Sequence, residues 1–335
     1  MTLPRRTFLH LATAAAALPA LPRIASAQSY PARPVRLVVG FPPGGTNDIH
    51  ARLIADWLSA QFVRSFIVEN RPGAAGNIAL EQVVRAEPDG YTLSFCGSSE
   101  LRNELLYKDL KFSFMRDLAP VASVMLSMNV LVVHPSFPAQ SVAELIAAAK
   151  AEPGRITVAS AGAGSTQHIF WELFASMTGT RMLHVPYRGG APALTDLLGG
   201  QVQVCFSTMA DAIEYIKAGK LKALAVTGAR RAAALPDIPT IGEFVAGYEA
   251  AAWLGVVAPK ETPAAIVGIL NTAIIAGLAH PKIKQTIADL GGTAFASTPA
   301  GFSQFIAAEN RKWGQVIQAA DIKLQRAVRI LALFQ

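Results

Sequence analysis

Two stretches carry the residue types best suited to holding an anion. Phe41-Pro42-Pro43-Gly44-Gly45-Thr46-Asn47-Asp48 and Ala161-Gly162-Ala163-Gly164-Ser165-Thr166-Gln167-His168 each follow a β-rich run and lead into a helical stripe. A glycine-rich turn entering a helix offers unpaired backbone N–H groups and the positive end of the helix dipole, a ready anion site. A tight turn with no ligand is the plain alternative. Phe95-Cys96-Gly97-Ser98-Ser99 is a weaker third example. A nucleotide phosphate loop is disfavoured, because Gly164 is followed by Ser165 and Thr166 instead of Lys, and no G-x-G-x-x-G opens a helix.

Catalytic chemistry has less support. Ser165 and His168 stand three apart on one expected helix, yet a nucleophile also needs an oriented base and an oxyanion hole, and Ser165 suits a helix N-cap. There is no G-x-S-x-G elbow and no H-E-x-x-H pair. His50, His134, His168, His184 and His280 lack ligand spacing, so neither a metal nor a cofactor is expected. Arg188, beside Gly189-Gly190, could meet a carboxylate or project into water. Asp48 could cap its helix or bind an amine, and Cys96 and Cys205 read as small buried hydrophobes without a disulfide.

The elements that must position these residues alternate along the chain. Residues 35–39, 156–160, 202–206 and 221–227 are strand-like. Ile49, Leu53 and Trp57 predict a half-buried helix with Arg52 and Asp56 on its far side. Ile169, Phe170, Leu173, Phe174 and Met177 predict a second helix, and Ser141 with Glu144 a capped third. Pro192, Pro263, Pro281 and Pro299 suit first helical positions, and Gly199 and Gly219 suit helix ends. Strands separated by helices imply parallel sheets covered by helices, an α/β class.

The 335 residues are 52% hydrophobic and 16% charged, enough to bury a sizeable core and too apolar for a disordered chain. The net charge of +7 would suggest a nucleic-acid partner, but Arg5, Arg6 and Arg23 lie in residues 1–27, which hold no acid. That stretch has a charged start, an apolar run over 9–21 and an Ala25-Ser26-Ala27 end, the form of a signal peptide cut near Ala27/Gln28. Arg5-Arg6 followed by Thr7-Phe8-Leu9 resembles a twin-arginine export signal. Without it, 27 basic residues face 23 acidic ones, and nothing calls for nucleic acid. After Gln28 no stretch approaches the ~18 apolar residues that span a bilayer, so a soluble exported product is expected.

Several motifs together resemble the substrate-binding proteins of tripartite tricarboxylate transporters, the Bug receptor family. They include Val38-Val39-Gly40 with the first loop, Val68-Glu69-Asn70-Arg71-Pro72-Gly73, Pro88-Asp89-Gly90-Tyr91 and Val185-Pro186-Tyr187-Arg188-Gly189-Gly190. Leu197-Leu198-Gly199-Gly200-Gln201, Ala218-Gly219-Lys220-Leu221, Leu224-Ala225-Val226-Thr227 and Leu235-Pro236-Asp237-Ile238-Pro239-Thr240 continue the match, which spans residues 30–325 in family order.

The resemblance implies a two-lobed, periplasmic-binding-protein-like (type II) fold, each lobe a mainly parallel sheet flanked by helices. Lobe 1 would comprise 29–130 plus 252–335 and lobe 2 131–251, after a signal peptide at 1–27. A ligand would sit between the lobes. It further implies a periplasmic, monomeric receptor that is no enzyme. Such a receptor captures a small organic acid (a di- or tricarboxylate, an aromatic acid or an amino acid) and delivers it to integral membrane transporter subunits. The ligand-binding residues implied are Phe41, Gly44, Gly45, Thr46, Asp48, Gly164, Ser165, Thr166 and His168, with Ser98, Arg188, Thr208 and Asp211 near the cleft. Ser207-Thr208 stand where many relatives carry Asp, so the ligand does not transfer from a relative. The tail 326–335 has no family counterpart. A sensory receptor, or an exported hydrolase using Ser165 and His168, are the alternatives.

Overall fold

The computed structural model describes residues 30–107, 109–187 and 189–322. The expected signal peptide, Arg188 and the tail 326–335 lie outside the described residues. Met1–Ala32 forms a separate unit, described only over 30–32, and the account below concerns the unit that starts at Arg33.

Strands and helices alternate as expected. The first half runs β1 (Val35–Val39), α1 (Thr46–Phe62), β2 (Phe66–Asn70), α2 (Asn77–Val84), β3 (Thr92–Gly97), α3 (Ser98–Leu106), the one-turn α4 (Phe114–Asp117) and the long β4 (Leu118–Val133). Next come α5 (Val142–Ala151), β5 (Thr157–Ser160), α6 (Thr166–Thr178), β6 (Leu183–Pro186), α7 (Gly190–Leu198), β7 (Val204–Thr208), α8 (Met209–Lys217) and β8 (Lys222–Val226). The chain closes with β9 (Ala251–Pro259), α9 (Ala264–Ala279), α10 (Pro281–Asp289), β10 (Gly292–Ala294) and α11 (Pro299–Ala319).

The strands lie in the order β2-β1-β3-β9-β4-β7-β5-β6, with β8 and β10 also paired to β4. The parallel pairing expected from β/α alternation holds in two outer groups, β2-β1-β3 and β7-β5-β6. It fails at the centre, where β3-β9, β9-β4 and β4-β7 are antiparallel. The reason is β4, whose residues 118–128 pair with β9 and whose residues 129–133 pair with β7 and β8. One strand thus feeds both half-sheets, and the alternation of loop and helix gives no sign of it. The class is α/β with two lobes.

Three local expectations shift. The third strand starts at Val204 instead of 202 and runs to Thr208. Pro192 is the third residue of α7 and Pro263 the residue before α9, whereas Pro281 and Pro299 open α10 and α11. Helix α1 exists, but its buried face is Ala51, Ile54, Ala55 and Leu58, and Ile49 is 39% exposed. The stripe Ile49-Leu53-Trp57 is rotated off that face because α9 supplies a second surface: Trp57 Nε1 donates to Ala273 O at 2.8 Å. Likewise Met177 is exposed at the end of α6, whose Ile169, Phe170, Leu173 and Phe174 are buried.

Helix α11 joins two cores. Its Phe302 and Ile306 pack with Trp253, Val257 and Leu118, and its Trp313, Val316 and Ile317 pack with Phe170 and Phe174 of α6. Twenty-one residues of helix span about 30 Å, long enough to reach both. The Trp313 and Phe170 rings stack at 5.3 Å. The two cysteines are buried free thiols, in line with their apolar runs.

Candidate functional site

A cavity of about 460 Å³ opens where the half-sheets meet. Four helix N-termini point residues into it: Thr46 and Asn47 of α1, Ser98 and Ser99 of α3, Ser165 and Thr166 of α6, and Thr208 and Ala210 at the start of α8. Its floor is the central antiparallel pair, through Met125, Ser127 and Asn129 of β4 and Ala252, Trp253 and Leu254 of β9. Among the described residues no Asp, Glu, Lys, Arg or His lines it. Each helix start carries roughly half a positive charge from its free N–H groups, so the field here comes from backbone dipoles.

Each main loop is held from behind by a polar hub. Behind the first loop, the Asp48 carboxylate is buried and accepts from Gly44 N at 2.9 Å, Asn70 Nδ2 at 2.9 Å, and Arg52 Nε and Nη2 at 3.0 and 2.9 Å. The hydrogen bonds from Arg52, with those from Gly44 and Asn70, outweigh burial and hold its carboxyl at about 2. Asn70 Nδ2 also donates to Phe41 O at 3.0 Å, fixing the residue that lines the cavity.

Behind the second loop stand two imidazoles. His168 Nδ1 accepts from Gly164 N at 3.1 Å, and its Nε2 lies 3.3 Å from Glu172 Oε1. The His184 ring stacks on it at 4.0 Å and 10°, with Trp171 flanking both. His184 Nε2 is 2.7 Å from Ser160 Oγ, which accepts from Gly162 N at 3.1 Å. Burial, and then the adjacent His168, press the His184 imidazole down to about 4. Ser165 caps α6 by accepting from His168 N at 3.3 Å, and Thr208 caps α8 through Asp211 N at 3.3 Å.

At the third helix start, the buried Glu100 carboxylate accepts from Gly97 N at 3.1 Å and Ser99 Oγ at 2.7 Å, and burial pushes it up to about 7. Gly97 is obligatory there, since a Cβ on it would stand 2.2 Å from Trp253 O. That close approach of β3 to β9 sets Ser98 at the cavity.

Of the residues singled out from sequence, Phe41, Thr46, Ser98, Gly164, Ser165, Thr166 and Thr208 line the cavity together. Gly44, Gly45, Asp48, His168 and Asp211 do not; Gly45 precedes α1, and Asp48 and His168 belong to the hubs. Asp48 neither caps α1 nor presents a free carboxylate to an amine. Arg188 is outside the described residues. The hydrolase arrangement is not formed, because both His168 nitrogens are turned to Gly164 and Glu172, and Ser165 Oγ is bonded to a backbone N–H.

Sequence reasoning missed Asn103, Tyr107, Ser127 and Asn129 as lining residues. The polar pair Ser127 and Asn129 interrupts the apolar run of 118–133, a signal that was available. Asn129 Nδ2 donates to Phe206 O at 2.7 Å where β4 crosses between half-sheets.

Comparisons with known proteins agree on one group. The profile described as Tripartite tricarboxylate transporter family receptor matches residues 50–322. Protein BugT of Bordetella pertussis is 36% identical over 322 residues, covering 95% of this chain and 97% of that protein. The structure of Rpa4515 of R. palustris with adipate superposes with a TM-score of 0.77 at 37% identity, covering 88% of this chain and all of that one. MatC of Rhodopseudomonas palustris, with bound malate, gives 0.72 at 29% identity, covering 86% of this chain and all of that one.

Proposed function

Because the chain belongs to the tripartite tricarboxylate transporter receptor family, we propose that it captures a small carboxylate-bearing organic acid in this cavity and delivers it to a membrane transporter. The observation that carries the reading is the convergence of four helix N-termini on an uncharged cavity among the described residues. Four such termini supply about two positive charge equivalents, enough to balance one or two carboxylates. Thr46, Ser98, Ser165, Thr166 and Thr208 orient the ligand, with backbone N–H groups left free at the helix starts. Neutral donors suit reversible capture, since a fixed buried charge would need a matched partner whenever the site is empty.

The ligand is an acid with an apolar body and no ammonium group. Leu106, Met125, Trp253, Leu254 and Leu290 supply apolar wall, and no carboxylate among the described residues faces the cavity to receive an amine. Adipate, found with one relative, has such a body, and malate, found with another, is a hydroxylated dicarboxylate that likewise carries no ammonium group. Lobes of 29–130 plus 252–335 and of 131–251 would close over the ligand, giving the transporter a shape to distinguish. Export through the 1–27 signal would place the chain in the periplasm, and Arg188 is a further proposed ligand contact.

The test is native mass spectrometry of the purified protein, followed by thermal shift against dicarboxylates, aromatic acids and amino acids. A dicarboxylate or aromatic acid is expected to raise the melting temperature at pH 8, and less so in Ser165→Ala. No stabilisation by any small anion, or turnover of ester substrates abolished by Ser165→Ala, would overturn the receptor reading.

A further inference from the structure

We propose that the cavity selects hydroxy acids: small carboxylic acids, aliphatic or aromatic, whose hydroxyl donates a hydrogen bond to Ser99 Oγ or Asn103 Oδ1 on α3. The selection rests on the reading of the cavity as an acid-binding site and names the chemical class within it.

Ser99 and Asn103 both line the cavity. They stand four residues apart on α3, so they share a helix face with Cβ atoms roughly 5–6 Å apart. Neither has a proton left to give. Ser99 Oγ donates to Glu100 Oε2 at 2.7 Å, and the same carboxylate oxygen accepts from Gly97 N at 3.1 Å. At pH 8, above the value of about 7 to which burial pushes it, Glu100 is ionised and can only accept. A hydroxyl has one proton and two lone pairs, so with its proton spent on Glu100, Ser99 offers the cavity lone pairs alone.

Asn103 reaches the same condition by another route. Its Nδ2 donates to Ala75 O and to Asn77 Oδ1, both at 2.8 Å. A backbone carbonyl accepts only, which fixes the amide with its nitrogen toward Ala75. Both N–H groups are then spent, and Oδ1 is left without a donor among the described residues. The side chain is buried, so it does not turn freely to exchange the two atoms.

The starts of α6 and α8 have the reverse polarity. Ser165 Oγ accepts from His168 N and Thr208 Oγ1 from Asp211 N, which leaves each hydroxyl proton for the ligand. Helix α6 has no acid in its first turn, whereas α3 carries Glu100 in its own. A ligand carboxylate is therefore drawn toward α6 and repelled by the bare lone pairs of Ser99 and Asn103. What those two accept is a neutral donor on the body of the same ligand. An unsubstituted acid brings none, and leaves them to water or bare.

Isothermal titration of the full chain at pH 8 tests this with four sets of acids. The parents are succinate, adipate, benzoate and 3-phenylpropanoate. Each is compared with its hydroxylated counterpart (malate, 3-hydroxyadipate, 4-hydroxybenzoate and 3-phenyllactate) and with the acid bearing fluorine in place of that hydroxyl. Fluorine is close to hydroxyl in size and has no proton to donate. The tightest-binding acid is expected to be a hydroxylated one, roughly three- to tenfold tighter than its parent, the worth of one hydrogen bond, with the fluorinated acid no better than the parent. In at least one of Ser99→Ala and Asn103→Ala that ratio should fall to within about twofold of one. A tightest binder without a hydroxyl, a fluorinated acid that matches the hydroxylated one, or a ratio that survives in both variants would overturn the selection. Where a variant fails to fold, the comparison on the unaltered protein decides. Binding without preference for a hydroxyl sinks this inference alone, whereas binding of no acid in any set sinks the receptor reading with it.

Discussion

Replacing Asp48 by Asn removes the charge that anchors the first loop and leaves its shape almost unchanged. The carboxyl falls from an ordinary 3.8 to about 2 on folding. A shift of nearly two units at about 1.4 kcal/mol each amounts to roughly 2 kcal/mol of stability at pH 7. Arg52, the first cause of the shift, is 50% exposed, so solvent screening brings the expected figure to about 1–2 kcal/mol. A depressed carboxyl stabilises the fold above its unfolded value and loses that contribution as pH falls through the folded value. Urea unfolding of both proteins at pH 7 and pH 3 reads this out directly. Asp48→Asn should be less stable by about 1–2 kcal/mol at pH 7, with the gap roughly halved at pH 3, where the carboxyl of the unfolded chain is mostly protonated while that of the folded protein is still mostly ionised. Equal stability at pH 7, or a gap of unchanged size at pH 3, would refute the assignment of Asp48 as a charged hub.

Other consequences follow from the same contacts. His184, lowered to about 4 against an ordinary 6.5, costs nothing above pH 6.5, where it is neutral folded or unfolded, and destabilises the fold increasingly as pH falls toward 4, because the unfolded chain takes the proton first. The melting temperature should therefore drop between pH 7 and pH 5, and drop less in His184→Phe; parallel slopes would disprove it. Ser165→Ala removes an N-cap and should cost about 1 kcal/mol in urea unfolding as well as weakening ligand capture. Gly97→Ala sets a methyl against Trp253 O and Leu254 Cδ2 and should cost about 1–3 kcal/mol or more, with a variant within 0.5 kcal/mol of the parent counting against the close β3–β9 approach.

Much of the fold was legible in short windows. The β1–loop–α1 and β5–loop–α6 units follow from hydrophobic period and glycine placement, and the Ser165 cap from a local preference that the chain satisfies within three residues. The buried face of α1 was not legible, since Trp57 is claimed by α9, more than 200 residues away in sequence. The central antiparallel strands escaped for the same reason. Nothing within residues 118–133 states that one part of β4 pairs with β9 and the next with β7.

By itself the amino-acid sequence determined the family motifs and the two glycine-rich loops that lead into helices, because caps, turns and periodicity are settled by neighbours along the chain. Only the tertiary structure decided which residues of those loops face the cavity. It turned Asp48 and His168 away to serve as hubs, and brought Ser98, Thr208 and Asn129 in from distant elements. The physical reason is that a cavity wall is set by strand pairings between residues as far apart as Ser127 and Ala252, and side chains at its edge turn toward whichever buried partner those pairings supply.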